Sequence, residues 1–452
     1  MKGQFWTKRL AGLLLGLVLF CGASVVAAAP VASPPIRIGL MTQQFGILAS
    51  SNGGFQVVNV DDGKILGEFT AGAKLRIGLR EGKFVINNAI VNSDRMRIEP
   101  QKPKNIERED RLLEINNRRY RGAVEIFRTQ GAAGMTAVNV LPLDEYVYGV
   151  LGLSLTPEWP EQAVKAQAVV VRSFALYHSG KHNNEGFDLC DTGDCLVYEG
   201  QTQENPKIWQ AIEATRGLAL LYQNYPVAAY LHLSSGGYTE NSESVFAKAY
   251  PYLRGVPDFD QTSPYFRWQK RITPQELEGL LKGAGYNFGA LTAIEISRRT
   301  PPPMNVSDRG VSGRIRMITF IGKDGIAALT GEQIQKLLSL PSTLFDVTVA
   351  VPLSNIDSNI TDSYGDRDTK QIQINLPPSA SAGLLTDRPG IHRISGKPNE
   401  LVFLEGFGWG HGVGFSQWGA KTMAEKAINP GSDYYMSILK HYFQGVRIDK
   451  WY

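Results

Sequence analysis

Between residues 406 and 414 every second residue is glycine, within the run Gly406-Phe-Gly-Trp-Gly-His-Gly-Val-Gly-Phe-Ser-Gln-Trp-Gly-Ala420. Glycine weakens ordinary strands and helices, so core packing does not account for five alternating glycines. They call for a loop whose backbone passes close to something else. His411, Ser416 and Gln417 stand beside Trp409, Phe415 and Trp418. That mixture suits a ligand with hydroxyl and acetamido groups on one side and ring faces on the other. It equally suits a tightly turned structural loop in which His411 is bonded internally.

The N-terminus sets the compartment. Lys2, Lys8 and Arg9 precede an apolar stretch from Leu10 to Val26, followed by Ala27, Ala28 and Ala29. Residues 1–29 thus have the layout of a secretory signal, or of an uncleaved anchor, since the apolar core is about as long as a short membrane span. Cys21 follows Phe20 rather than a small residue, which argues against lipoprotein processing. The rest of the chain is expected outside the inner membrane, in the periplasm or envelope. Losing the three basic residues lowers the formal charge from +4 to +1. A nearly neutral chain lacks the electrostatic footprint of a nucleic-acid binder and fits a neutral or mixed partner such as a glycan.

Beyond a linker at 30–35, short alternating stretches such as Phe55-Gln-Val-Val-Asn-Val and Lys74-Leu-Arg-Ile-Gly-Leu, broken by glycine turns, predict a β-rich region over 36–135. A mixed domain over 136–450 follows. Its expected helices run from Asp144 to Leu155, from Pro160 with Ala163, Ala166, Val170 and Phe174 at helical spacing, from Gly331 to Leu338, from Gln417 to Ala427, and after Ser432. Expected strands include Leu218-Ala-Leu-Leu-Tyr, Val227-Ala-Ala-Tyr-Leu-His-Leu and one near Val446. Arg172 interrupts an apolar helix and is either buried and paired or exposed. Residues 354–400, rich in Ser, Asp, Asn, Gly and Pro, read as a surface insertion.

Cys190 and Cys195, five residues apart, are expected to form a disulfide in an oxidising compartment. The alternatives are free thiols or a zinc site completed by His178 or His182. No motif calls for an organic cofactor.

Three separated segments carry a family resemblance: Leu141-Pro-Leu-Asp-Glu-Tyr-Val-Tyr-Gly149 continuing to Trp159-Pro-Glu-Gln-Ala-Val-Lys-Ala-Gln-Ala-Val-Val-Val-Arg-Ser173; Ser234-Ser-Gly-Gly-Tyr-Thr-Glu240 with Ala249-Tyr-Pro-Tyr-Leu-Arg254; and the glycine-rich loop. Together, in this order, they resemble the SpoIID/LytB family. The resemblance implies an α+β fold, with the β-rich N-terminal region followed by a two-lobed mixed domain with a groove for peptidoglycan glycan strands. In active members it implies a lytic transglycosylase. One carboxylic acid then protonates the glycosidic oxygen and, as carboxylate, takes the proton of the sugar's 6-hydroxyl, unlike the carboxylate pair of ordinary glycosidases.

At the position of that acid this chain has Ser154, which cannot donate the proton. Glu158, beyond the Thr156-Pro157 turn, is the candidate displaced acid, or else simply a carboxylate near a helix N-terminus. Gly236, Gly237, Tyr238, Thr239 and Glu240 are expected to form a second wall of the groove, with His411, Ser416, Gln417 and Trp409 facing the glycan. Two functions follow: a glycan-binding protein that modulates a wall hydrolase such as an amidase, or a lytic transglycosylase using Glu158.

Overall fold

The computed structural model describes residues 32–101, 112–201, 204–351 and 390–452. The expected leader at 1–29 and most of the expected insertion at 354–400 lie outside the described residues. Among those described, no helix is long and apolar enough to cross a membrane.

The fold is α+β. The strand Pro35–Gln44 pairs antiparallel with Met135–Pro142 and parallel with Leu189–Cys190. These belong to a seven-stranded sheet that continues through Ala123–Arg128, Arg95–Pro100, Phe55–Asn59 and Ile65–Phe69. A six-stranded sheet built around Gly46–Ser51 and Leu75–Arg80 packs into the same core. That core runs on without a break into the helices.

Helix α1 (Leu143–Ser154) leads through the turn 156–160 into α2 (Glu161–His178). Pro160 precedes the first turn of α2, where its missing N–H costs nothing. From Ala166 to Ala175 every residue of α2 is buried, so this helix is a core element on all sides. Its alanines admit α3 (Pro206–Ala214), α7 (Gln417–Lys426) and α8 (Tyr434–Tyr442), which all pack on it. Arg172 is fully buried: Nε donates to Asp144 Oδ1 at 2.9 Å and Nη1 to the Leu218 carbonyl at 3.0 Å. Removing Asp144 would leave the buried guanidinium without a charged partner.

The segment expected as a strand over Val227–Leu233 is strand only at Leu231–His232, which pairs parallel with Phe415–Ser416. Val227, Ala228 and Ala229 are buried outside any strand, the Val227 N–H donating to the Leu220 carbonyl and the Ala228 N–H to the Tyr252 hydroxyl.

A second core gathers Ile272, Leu277, Phe288, Ile318, Phe345 and Val402 among others. It is enclosed by the sheet of Arg267–Ile272, Leu401–Phe407 and Phe345–Ala350 and by a four-stranded sheet ending in Ile391–Arg393. Its helices α5 (Pro274–Gly283) and α6 (Gly331–Leu338) each begin with a capping box, Thr273 with Glu276 and Thr330 with Gln333. The glycine-rich loop carries the chain from this core back to the first.

Candidate functional site

The glycine-rich loop closes on the protein's own backbone. Gly408 has φ +73°, and a Cβ there would lie 2.6 Å from the Ser234 carbonyl oxygen; at Gly412, φ +79°, it would lie 2.1 Å from Arg314 Nε. Buried Arg314 ties the loop down, donating to the carbonyls of Gly410 at 2.9 Å and Ser235 at 3.0 Å. The glycines are therefore required by close approach, as expected, and the neighbour is the chain itself.

This closure turns most of the loop's polar groups inward. His411 is half-buried among Tyr230, His232 and Phe246, and its Nδ1 accepts the Val413 N–H at 3.0 Å. Burial, with the nearby Arg314 charge, pushes its pKa down to about 4. Ser416 is fully buried and caps α7 by accepting the Gly419 N–H at 3.2 Å. Gln417 is buried, its Oε1 without a donor among the described residues. Ser416 and Gln417 thus do not face a ligand, because cap formation and helix packing direct them into the core.

The second wall is corrected in the same way. Glu240 is fully buried, and its carboxylate accepts the N–H groups of Asn241, Val311 and Ser312 and the Ser312 hydroxyl. Thr239 is buried and accepts the Val256 N–H. Both are consumed in binding one loop to another. Gly236 and Gly237 donate their N–H groups to buried Asp260 and remain half-buried with Tyr238.

What faces outward is aromatic. Trp409 is 45% exposed, and its ring stands 5.4 Å from that of Tyr265. Tyr265 lies 6.4 Å from Trp418, and Trp418 lies 5.7 Å from Trp159. The Lys421 ammonium sits 5.0 Å over the Trp418 ring and 5.9 Å from that of Trp159. A continuous aromatic ledge thus joins the glycine-rich loop to the turn that follows Ser154. Trp159 and Trp418 belong to the quoted motifs, but nothing in the sequence marks Tyr265.

Ser154 ends α1 and is exposed, its Oγ only weakly bonded to the carbonyls of Val150 at 3.3 Å and Leu151 at 3.5 Å. Glu158 is also exposed, and the Thr156 hydroxyl holds its carboxyl below the usual range. A general acid needs the opposite shift. Among the described carboxyls burial raises Asp191 and Asp260. Asp260 is fully buried on Ser234, Gly236 and Gly237, and Asp191 lies between Cys190 and Cys195.

The two cysteines are free thiols with sulfurs 2.9 Å apart, not the expected bonded pair. Cys195 Sγ lies 3.5 Å from His182 Nε2 and Cys190 Sγ 3.9 Å from Asp194 Oδ2. The four donor atoms lie within 4.8 Å of one another, a two-sulfur, one-imidazole, one-carboxylate set suited to zinc. His178, the other imidazole considered, packs instead against Phe174 and Tyr230.

Residues 131–222 match the family model described as stage II sporulation protein, and residues 237–360 match a domain of unknown function. An uncharacterised protein of Brachyspira hyodysenteriae is 29% identical over 70% of this chain and 68% of its own length. Stage II sporulation protein D of Bacillus amyloliquefaciens is 27% identical over 73% of this chain and 79% of its own. The amidase enhancer of Bacillus subtilis is 25% identical over 83% of this chain, which spans 50% of that relative. The chain thus carries a SpoIID domain spanning α1, α2 and the turn between them, and over most of its length it is similar to proteins named stage II sporulation protein D and amidase enhancer.

Proposed function

We propose that this protein binds peptidoglycan glycan strands outside the inner membrane and modulates a wall hydrolase without cutting the strands itself. The carrying observation is the ledge of Trp159, Trp418, Tyr265 and Trp409, which begins in the turn that follows the serine replacing the family's acid. Half-exposed rings in a row offer flat apolar faces to successive sugars, while neither candidate acid among the described residues is poised to donate a proton: Ser154 is a hydroxyl and the Glu158 carboxyl is lowered. The name of the amidase enhancer relative supports an amidase as the hydrolase served.

The test is binding of a neutral N-acetylglucosamine oligomer to the native protein and to Trp418→Ala and Trp409→Ala. Loss of one ring contact is worth about 1–2 kcal/mol, or about five- to thirtyfold in affinity. Unchanged binding in both variants would remove the ledge from the argument. Anhydro-ended products from the unaltered protein would show an enzyme instead.

A further inference from the structure

A cleft of about 360 Å³ opens where the second core meets the double-glycine turn, lined by Gly236, Tyr238, Arg299, Thr300, Ser312 and the Pro301–Pro302 pair. Arg299 is fixed in it. Its guanidinium lies 4.0 Å from the centre of the Phe407 ring, and Nε donates to Asp346 Oδ2 at 3.1 Å. Its two terminal nitrogens donate to nothing among the described residues and are not sealed from solvent.

Among the described residues no carboxylate lines the cleft. Asp346, behind Arg299, is shared with Arg309, whose Nη2 stands 3.2 Å from its other oxygen. Glu240 is occupied by three N–H groups and accepts the hydrogen bond of the Ser312 hydroxyl. The free donors are therefore the two Arg299 nitrogens and the hydroxyls of Tyr238 and Thr300, beside an apolar wall of two prolines and a tyrosine ring. A stacked, pre-oriented guanidinium of this kind favours a planar anion that it can grip with two parallel bonds.

We propose that this cleft binds a free carboxylate carried by a peptidoglycan fragment. The proposal rests on the glycan-binding reading for its source of ligand. A Cβ at Gly408, next to Trp409, would lie 2.8 Å from the Gly236 nitrogen, so the cleft adjoins the Trp409 end of the ledge. A strand lying on the ledge would bring a pendant carboxylate to Arg299. The carboxylate has two sources: the lactyl group of a muramic acid without its peptide, or the end of a stem peptide.

Calorimetric titration of the full chain distinguishes them, with N-acetylmuramic acid and its methyl ester in one arm, and N-acetyl-D-alanyl-D-alanine, standing for the end of a stem peptide, and its C-terminal amide in the other. At least one acid should bind more tightly than its neutral partner by about 10- to 150-fold, the range for a hydrogen-bonded charged contact. Arg299→Gln should bring the acid down to its neutral partner while leaving a neutral N-acetylglucosamine oligomer bound as before. Tyr238→Phe, which leaves the Asp346 pair intact, should cost about two- to twelvefold for the acid alone. If Arg299→Gln fails to fold, the acid-to-ester comparison on native protein and Tyr238→Phe still decide.

Equal binding of acid and neutral partner in both arms, no binding of either acid, or full acid binding by folded Arg299→Gln would overturn the proposal. Binding of an acid with none of the neutral oligomer would instead overturn the ledge reading and leave the cleft standing.

Discussion

Restoring a carboxyl at the end of α1 tests the division between binding and cutting. Ser154 is exposed, its side chain makes two long contacts to carbonyls of its own helix, and the last turn of α1 holds no basic residue. In Ser154→Glu the new carboxylate meets the negative end of the helix dipole, at a cost of about 0.3–1 kcal/mol. By linkage that cost raises its pKa by about 0.2–0.7. A group raised in the folded state is least costly when protonated. The variant should therefore match the native stability below about pH 4 and fall short of it near neutrality.

The same shift is in the direction a general acid needs, but small, because the site is open to water. Acid–base help contributes about 10²–10⁴-fold when fully formed. Ser154→Glu should reach the lower part of that range above a native background of no cleavage. The assay is release of anhydro-muramic ends from purified glycan strands, read by mass spectrometry. The reasoning fails if the native protein already releases such ends and Glu158→Gln abolishes this without loss of binding, since Glu158 would then be the acid despite its lowered pKa.

Metal analysis of protein purified under reducing conditions should find one zinc per chain, lost in Cys195→Ser and weakened in Asp194→Asn; a mass two hydrogens light with no zinc would restore the disulfide expectation. Burial depresses His178 and His411 to about 4 and lowers His232 as well, so each binds a proton more readily unfolded. Stability contributed by their neutral forms is present above about pH 6.5 and is lost as pH falls toward 4, by up to about 2 kcal/mol each at pH 5. Urea unfolding at pH 7 and 5 should show the drop, and His411→Gln should reduce it. Gly412→Ala should lose about 3 kcal/mol or more, because a left-handed conformation and displacement of buried Arg314 act together, and a melting temperature near native would show that the loop yields easily.

Much of the scaffold was legible in local pattern. Helices α1, α2, α6, α7 and α8 follow from spacing, prolines and caps that act within a few residues. Arg172 was undecidable because its partner, Asp144, lies 28 residues away. Val227–Leu233 looked like a strand from its apolar run, but a ladder depends on a partner, and only Leu231 and His232 have one. The glycine requirement in the loop was legible, whereas the facing of its polar groups was not, since that depends on Arg314 crossing from the second core. Tyr265 and Arg299 sit in stretches without period or motif, and only the assembled fold brings them beside Trp409 and Gly236.

The chain's route between its two cores bears on how it is made. The strand Leu218–Tyr222 finds its partner in Arg447–Lys450, and α2 is covered on one side by α7 and α8, whereas the second core is complete within residues 272–404. About 225 residues separate the paired strands. At a synthesis rate of about 5–20 residues per second, the ribosome takes roughly ten to fifty seconds to supply the missing partner. Until α7 and α8 are available the flank of α2 that they cover stays open, and since the second core itself needs Val402 and Leu404, both cores close only near the end of the chain. The length of the excursion therefore sets how long that apolar flank must be kept from other partners before the first core can close.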